Sequence, residues 1–188
     1  MKNIKNLGIT TKEGFSVKNL QRFPSMEWGP EGGLQAELYY NKHKVLDLFN
    51  AGDGGCANVY LTDKGTKILD ELKAKGLEFL KRVDKDYGPD SKYSWMKTKT
   101  AATFDDDDWE MVITIIEERA EDIKTIKQCF KKGYKAVAII RNDSEKKFLQ
   151  YRFANINIAA VKSYLTAMDM KQYSEIVVVT CNDDITVL

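Results

Sequence analysis

The sequence predicts an α+β fold with antiparallel hairpins, two long amphipathic helices and one shorter C-terminal helix. The first third of its 188 residues alternates apolar and polar side chains between glycine-rich turns. Two later stretches repeat apolar side chains every three or four residues, as amphipathic helices do. Strand-like and helix-like segments follow one another in runs, which favours an antiparallel sheet over a doubly wound parallel one. The length fits one domain, 1–188, with any subdivision near 90–103.

The first predicted element is a hairpin near the start of the chain. Apolar and polar residues alternate over 34–40 and over 44–49, and Asn41-Lys42 between them is expected to turn. The stretch 23–33 holds two prolines and three glycines, which predicts a loop or an irregular edge. Downstream, Gly52-Asp53-Gly54-Gly55 predicts a tight turn.

A long helix is predicted from Lys64 to Asp86, with its N-cap at Thr62 or Asp63 and its end at Gly88-Pro89. Its apolar face contains Leu69, Leu72, Gly76, Leu80, Val83 and Tyr87. Gly76 lies on that inward face, where its lack of a side chain lets another element approach closely. The polar stretch 90–103 that follows is expected to be a linker or a mobile surface loop.

A second long helix is predicted to start at Asp105 and to stop at Gly133, a natural left-handed C-cap. Phe104 and Trp109 flank its start at the spacing of a hydrophobic staple. The remaining predicted elements are a hairpin of 134–141 and 146–153, a shorter helix opening at Asn157, and a buried strand over 176–180. Residues 182–184 are expected to turn into a last segment, 185–188.

Composition and cysteine usage exclude several classes of protein. The formal net charge of +1 excludes a strongly basic nucleic-acid binder, and no apolar run approaches the roughly 20 residues that span a bilayer. The N-terminus lacks the apolar stretch of a signal peptide. Cys56, Cys129 and Cys181 are each isolated, which argues against disulfides and zinc sites and predicts a cytoplasmic protein with reduced thiols.

Catalytic patterns are weak throughout the sequence. The run Asp105-Asp106-Asp107-Asp108 could hold a divalent cation, but carboxylates in the first turn of a helix ordinarily cap it, and successive helix residues point in different directions. Pro89-Asp90 and Glu145-Lys146-Lys147 resemble a restriction-type nuclease site but lie too far apart in sequence. The single histidine, His43, falls in a predicted turn. We therefore predict no enzyme activity, no cofactor and no metal.

The glycine loop Gly52-Asp53-Gly54-Gly55 leaves an alternative open. A structural turn is favoured, because no Walker-type Gly-Lys-Ser/Thr follows and the next helix begins several residues later. A loop that binds a ligand or a partner remains the alternative.

Charge is divided sharply along the second half of the chain. From Asp105 to Asp122 nine residues are acidic and one is basic, whereas from Lys124 to Arg152 nine are basic and two are acidic. Helix-dipole compensation explains part of this division. The basic part could contact phosphates or an acidic protein, and the acidic part could occupy a cationic groove in the manner of nucleic acid. Four aromatic residues are expected in loops or on solvent-facing positions, where they suit either an interface or the packing of loops over the core: Trp28, Tyr39, Tyr93 and Trp95.

The early hairpin, the glycine loop 52–55 with Asn58 shortly after it, and the later order of elements resemble small bacteriophage proteins. Some similar proteins inhibit host defence, including type II anti-CRISPR proteins that bind the Cas9 effector. The resemblance covers mainly 34–61 and implies a host protein as the partner, with no catalytic residues.

The leading hypothesis is therefore a non-enzymatic inhibitor, phage-encoded and active in the host cytoplasm, that binds a host defence protein such as a nucleic-acid-guided effector. The predicted contact residues are Asp105, Asp106, Asp107, Asp108, Glu110, Arg141, Lys146, Lys147, Arg152 and Trp95. The alternative is a nucleotide or nucleic-acid binder that uses Gly52, Asp53, Gly54 and Gly55 with the basic hairpin. A metal-dependent hydrolase built on the aspartate run is a third, weaker hypothesis. No membrane is expected among the partners.

Overall fold

The computed structural model describes residues 2–83, 87, 94–141, 146–151, 157, 159–160, 163 and 175–180. The chain divides into two compact units, residues 1–120 and 121–188. This division falls inside a long helix and not near 90–103. The assignment of the whole chain to one domain stays a prediction.

Unit 1 is built on a five-stranded antiparallel sheet in which neighbouring strands follow one another along the chain. The strands are β1 (Lys2–Asn6), β2 (Phe15–Ser25), β3 (Gly29–Tyr40), β4 (His43–Asn50) and β5 (Asn58–Leu61). The predicted α+β class with antiparallel pairing is confirmed. In this meander the β2–β3 turn and the β4–β5 loop lie at the same end of the sheet.

The predicted hairpin of 34–49 is confirmed as β3 and β4. Tyr40 pairs with His43, and the two residues between them, Asn41 and Lys42, both have positive φ (48° and 69°), as the tight hairpin turn requires. Of the loop or irregular edge predicted over 23–33, only residues 26–28 form a turn. Strand β2 continues through Pro24 to Ser25 and β3 begins at Gly29, and a register shift between Phe23 and Ser25 accommodates the proline.

One face of this sheet forms the core of unit 1. Alternate side chains of β2, β3 and β4 point to it and are fully buried, among them Val17, Leu34, Leu38 and Leu48. Helical residues from 72–80 and 109–116 belong to the same apolar cluster. The helices therefore cover the inner face, and we refer to the opposite one as the outer face.

The predicted helix of 64–86 is interrupted, and its parts are α1 (Asp63–Lys67) and α2 (Leu69–Val83). The N-cap is Thr62, whose hydroxyl accepts a hydrogen bond from the Gly65 amide. The Ile68 amide bonds to the Gly65 carbonyl, which is a tighter turn than the α-helix makes, so the two helices are separated there. The predicted end at Gly88-Pro89 lies outside the described residues.

Gly76 permits the close approach that its position predicted. A Cβ atom at Gly76 would lie 2.7 Å from Cζ of Phe104 and 3.2 Å from Cζ3 of Trp109. These two rings pack edge to face with centroids 4.6 Å apart. The expected staple at the start of the next helix is thus confirmed, and it presses directly on α2.

The expectation of a linker or mobile loop over 90–103 is wrong for residues 94–103. Residues 90–93 lie outside the described residues. Residues Ser94–Lys97 form a short helix, α3, and Ala101–Thr103 form a 3₁₀ turn. Met96 is buried, and the side chain of Lys99 is only 9% exposed. The polar composition of this stretch did not indicate burial, because a lysine is buried only when its charge is paired, and the partners of Lys99 are the carboxylates of Asp105 and Asp108.

Helix α4 (Asp106–Lys131) begins in unit 1 and ends in unit 2. Its predicted C-terminus is confirmed. Gly133 has φ +86°, and the amides of Gly133 and Tyr134 bond back to the carbonyls of Phe130 and Cys129.

Unit 2 contains a three-stranded antiparallel sheet in the order β7-β6-β8. Its strands are β6 (Ala136–Arg141), β7 (Lys146–Tyr151) and β8 (Glu175–Thr180), which confirms the predicted second hairpin and late strand. Its core joins Ile126 and Cys129 of α4 to three strand residues, Val137, Ile139 and Val179. Asn157 accepts a hydrogen bond from the Ala160 amide, as expected at the start of a helix; 161–162, 164–174 and 181–188 lie outside the described residues.

Candidate protein-binding surface

The four aspartates at the start of α4 all accept hydrogen bonds within unit 1. Asp105 is the N-cap: its carboxylate accepts from the Asp108 amide (3.2 Å), and Asp108 in return accepts from the Asp105 amide (2.8 Å). This reciprocal arrangement satisfies two amide groups that the first helical turn leaves unpaired. The interpretation of the run as a helix cap is confirmed for these two residues.

Asp108 is at the centre of a buried polar cluster. Its side chain is 1% exposed and lies 2.8 Å from the Lys99 ammonium, and its other oxygen accepts a hydrogen bond from the Tyr87 hydroxyl at 3.0 Å. Burial raises the pKa of the Asp108 carboxyl, and the bonds from Lys99 and the Asp105 amide act against that rise. At Asp105, burial acts to raise the pKa, but Lys99 and the hydrogen bonds with Asp108 together outweigh it, so the pKa of Asp105 is lowered.

The two middle aspartates accept hydrogen bonds from the backbone at the edge of the sheet. Asp106 accepts a hydrogen bond from the Val59 amide and Asp107 accepts one from the Ala57 amide, each at 3.3 Å. Strand β5 is an edge strand; Val59 belongs to it, and Ala57 immediately precedes it. Nearby, Glu110 accepts a hydrogen bond from the Asn50 side chain at 2.7 Å. The start of α4 therefore covers part of an edge that would otherwise present unpaired backbone donors.

These contacts change the predicted contact surface. Burial removes Asp108 from it, and that part of the prediction is wrong, because the sequence pattern does not reveal that α3 and its flanks supply a lysine partner. Asp105, Asp106 and Asp107 remain exposed, and Glu110 is partly buried. The predicted role of these four residues in partner binding stays a prediction.

The predicted basic residues belong to the hairpin of unit 2, where the structure gives backbone positions. Arg141 pairs with Lys146, and Lys147 lies opposite Ile140. Arg152 lies outside the described residues, as does the side chain of Trp95.

The glycine loop is a structural turn whose backbone donors are partly used. The Gly52 amide bonds to the Asn50 side chain (2.7 Å), and the Gly55 amide bonds to the carboxylate of Asp53 (3.2 Å). A phosphate cradle needs such amides free and pointing together, and Asp53 adds a negative charge that repels a phosphate. The structure thus supports the turn interpretation of Gly52, Asp53, Gly54 and Gly55.

The β2–β3 turn packs directly against this loop. Gly52 has φ +71°, and a Cβ atom there would lie 2.6 Å from the Gly32 carbonyl and 2.7 Å from Cβ of Ser25. The turn is closed by a hydrogen bond from the Trp28 amide to the Ser25 hydroxyl at 2.9 Å. We call residues 25–32 together with 52–56 the tip of unit 1.

The tip carries large apolar side chains that none of the described residues of unit 1 covers. Met26 is fully exposed and Trp28 is 68% exposed. Burying an indole ring removes a large apolar area from water, so an exposed tryptophan gains free energy when a partner covers it. A mostly exposed tryptophan on a packed turn is therefore typical of a contact residue. The exposure expected for Trp28 is confirmed.

Three aromatic side chains on the outer face, those of Phe23, Phe49 and Tyr60, form a strip next to the tip. Phe23 lies over Gly33 and stacks on Phe49, with ring centroids 5.7 Å apart and planes 19° apart. Tyr60 is a diagonal cross-strand neighbour of Phe49, since Phe49 pairs with Asn58. Phe49 is 38% exposed and Tyr60 is 61% exposed. Met26, Phe49 and Tyr60 were not among the predicted contact residues, although strand alternation places Phe49 on the face opposite to that of the buried Leu48.

Charged groups beside the strip neutralise one another. Lys44 contacts Glu37 at 2.9 Å and Asp47 at 2.7 Å, and Lys18 lies 4.1 Å from the centre of the Tyr39 ring. Burial alone would raise the pKa of Glu37, but hydrogen bonds from Lys44 and Asn19 lower it. The exposure expected for Tyr39 is therefore only partly realised, because its ring is half-buried under Lys18.

Within the described residues, no group of three or more His, Cys, Asp or Glu side chains is arranged to hold a metal ion. None of the helices in that part of the chain is both long and apolar enough to cross a bilayer.

Comparisons with known proteins returned no match: no family model, no curated protein and no solved structure is similar to this chain.

Proposed function

We propose that this chain is a non-enzymatic protein that binds another protein through unit 1. The observation that supports this most is the exposure of Trp28 and Met26 on a turn held in place by the loop behind it. Energy in protein interfaces is concentrated in a few aromatic side chains at ordered positions. Because the loop packs against the turn and the Ser25 hydroxyl bonds the Trp28 amide, binding costs little backbone conformational entropy at the tip.

The wider contact surface is the outer face next to the tip. Phe49 and Tyr60 extend the apolar area, and the neighbouring lysines and carboxylates satisfy one another. Removing such paired charges from water costs less desolvation free energy than removing isolated charges does. The acidic start of α4, where Asp107 bonds the end of the β4–β5 loop and Asp106 bonds strand β5, supplies the rim of the surface.

The resemblance to phage proteins supports a specific class of partner within this proposal. The partner is a host defence protein such as a Cas effector, and the chain acts as an inhibitor by occupying a surface of that protein in the host cytoplasm. The alternative of a nucleotide or nucleic-acid binder has less support, because the loop amides are bonded internally and Asp53 lies among them.

The test compares the wild-type chain with a tip variant, Met26→Ser/Trp28→Ser, in affinity capture from bacterial lysates and in cleavage assays with purified Cas9. A matched control, His43→Ser/Lys64→Ser, changes two exposed residues outside the tip and strip. We expect a protein retained by the wild type and the control and lost by the tip variant. Equal retention by all three chains would contradict the proposal for this surface, and undiminished Cas9 cleavage would exclude that effector as the target.

A further inference from the structure

We infer that the tip recognises a basic segment of its partner, one in which large apolar side chains stand among lysines and arginines. This inference rests on the proposed function, because it specifies the chemistry of the partner that the tip contacts. It is drawn from the charges around Met26 and Trp28 and from the way the two tip segments are held together.

The tip combines apolar anchors with charge of one sign. Glu27 precedes Trp28 in the turn, Glu31 lies near the start of β3, Asp53 lies in the adjoining loop, and all three are exposed. The sequence contains no lysine or arginine in 23–34 or in 50–58. Gly54 lies beside the Glu27 carboxylate, since a Cβ atom there would be 2.5 Å from Oε2 of Glu27. The turn and the loop therefore present one continuous acidic surface around the two apolar side chains.

The start of α4 extends this acidic surface. Asp107 bonds the amide of Ala57, immediately after the loop, and Asp106 bonds that of Val59. Neither carboxylate has a basic side chain among its hydrogen-bond donors in the described part of unit 1. Complementary charge around an apolar centre accelerates association and selects the partner, and here the complementary charge is positive.

Other occupants fit this surface less well. A second copy that binds tip to tip would bring two acidic surfaces together, and a nucleic-acid strand would bring phosphates against Glu27, Glu31 and Asp53. A basic protein segment is repelled by none of these groups, and its apolar side chains have Met26 and Trp28 to contact.

The experiment selects peptides from a random display library on the immobilised wild-type chain and removes those that also bind Met26→Ser/Trp28→Ser. The enriched peptide is synthesised, and its affinity is measured by fluorescence anisotropy at low and high salt. A charge variant, Glu27→Gln/Glu31→Gln/Asp53→Asn, keeps the shape of the tip. Its matched control, Asp63→Asn/Asp70→Asn/Glu118→Gln, removes the same number of exposed acidic groups elsewhere on unit 1.

We expect enriched peptides that are rich in Lys or Arg and contain large apolar residues. Their binding should weaken at least about 30-fold in Trp28→Ser, the loss typical of an interface hot spot. In the charge variant, binding should weaken at low salt and lose most of its salt dependence, whereas the control should behave as the wild type.

The inference is overturned if the peptides that depend on Trp28 carry no excess of positive charge, or if the charge variant binds them as tightly as the wild type. It is also overturned if the tip pairs with itself or retains a single-stranded DNA probe. The proposed function still stands after any of these outcomes if the Met26→Ser/Trp28→Ser variant no longer captures the lysate partner. If that variant captures the partner as the wild type does, the proposed function itself is contradicted.

Discussion

The ammonium nitrogen of Lys99 lies 2.8 Å from a carboxylate oxygen of Asp108, and the two side chains are only 9% and 1% exposed. Removing one member of such a pair leaves the other charge buried with fewer partners. We expect Lys99→Met to lower the free energy of unfolding by about 3 kcal/mol, measured by urea denaturation. Lys75→Met, which removes an exposed ion pair with Glu78, serves as the control and should leave stability unchanged. An equal small effect of both changes would contradict the buried cluster.

Gly76→Ala tests the contact between α2 and the Phe104–Trp109 pair. On an exposed helix this change stabilises by about 1 kcal/mol. Here the new methyl group would lie 2.7 Å from Phe104 and 3.2 Å from Trp109, so we expect a net destabilisation of about 1–3 kcal/mol. Thermal unfolding measures the change. A raised melting temperature would show that the rings do not press on this position. Ala74→Gly, on the exposed side of α2, gives the propensity effect alone.

Glu13 and Arg82 give unit 1 a defined response to acid. Burial acts to raise the pKa of Glu13, but the bidentate bonds from Arg82 (2.7 and 3.0 Å), together with a backbone hydrogen bond and one with Thr11, outweigh it, so the pKa is lowered from its usual 4.5. The ion pair therefore stabilises the fold fully above the unfolded-state pKa, and its contribution is lost as pH falls through the lower folded-state value. The difference in unfolding free energy between wild type and Glu13→Gln should be present at about pH 7 and smaller at about pH 3. A difference that grows on acidification would contradict this.

Asp106 and Asp107 should protect two amides of the β5 edge. In Asp106→Ala/Asp107→Ala, the amides of Ala57 and Val59 lose their acceptors, so their hydrogen exchange should accelerate while exchange in β3 is unchanged. The global loss of stability should be about 1 kcal/mol for each bond. Asp70→Ala, an exposed acidic residue in the first turn of α2, is the control. Unchanged exchange at Ala57 and Val59 would exclude this role.

Local rules predicted much of the fold. Strand alternation gave the β3–β4 hairpin, and cap and staple spacing gave both ends of α4, because each of these signals depends on residues close together in sequence. The packing of 94–103 depends on contacts outside that segment, such as the ion pair of Lys99 with Asp108. Pro24 and the glycines of 29–33 were misinterpreted because a bulged strand and a loop use the same residues.

The candidate site was less predictable than the fold. Trp28 was identified as an exposed aromatic residue, but its association with Met26 arises from a turn that the sequence analysis treated as irregular. The acidic run was correctly interpreted as a cap at Asp105 and Asp108. Its bonds to the β5 edge could not be predicted, because they join residues about 50 positions apart.

The bonds from Asp106 and Asp107 to the backbone after the glycine loop have a consequence for any mutational scan. Replacing either aspartate deletes a negative charge and also frees the segment that supports the tip. Reduced binding after such a replacement would thus combine a lost surface charge with a displaced loop. Variants at Glu27 and Glu31, which support no other segment through a side-chain hydrogen bond in the described residues, separate the two effects.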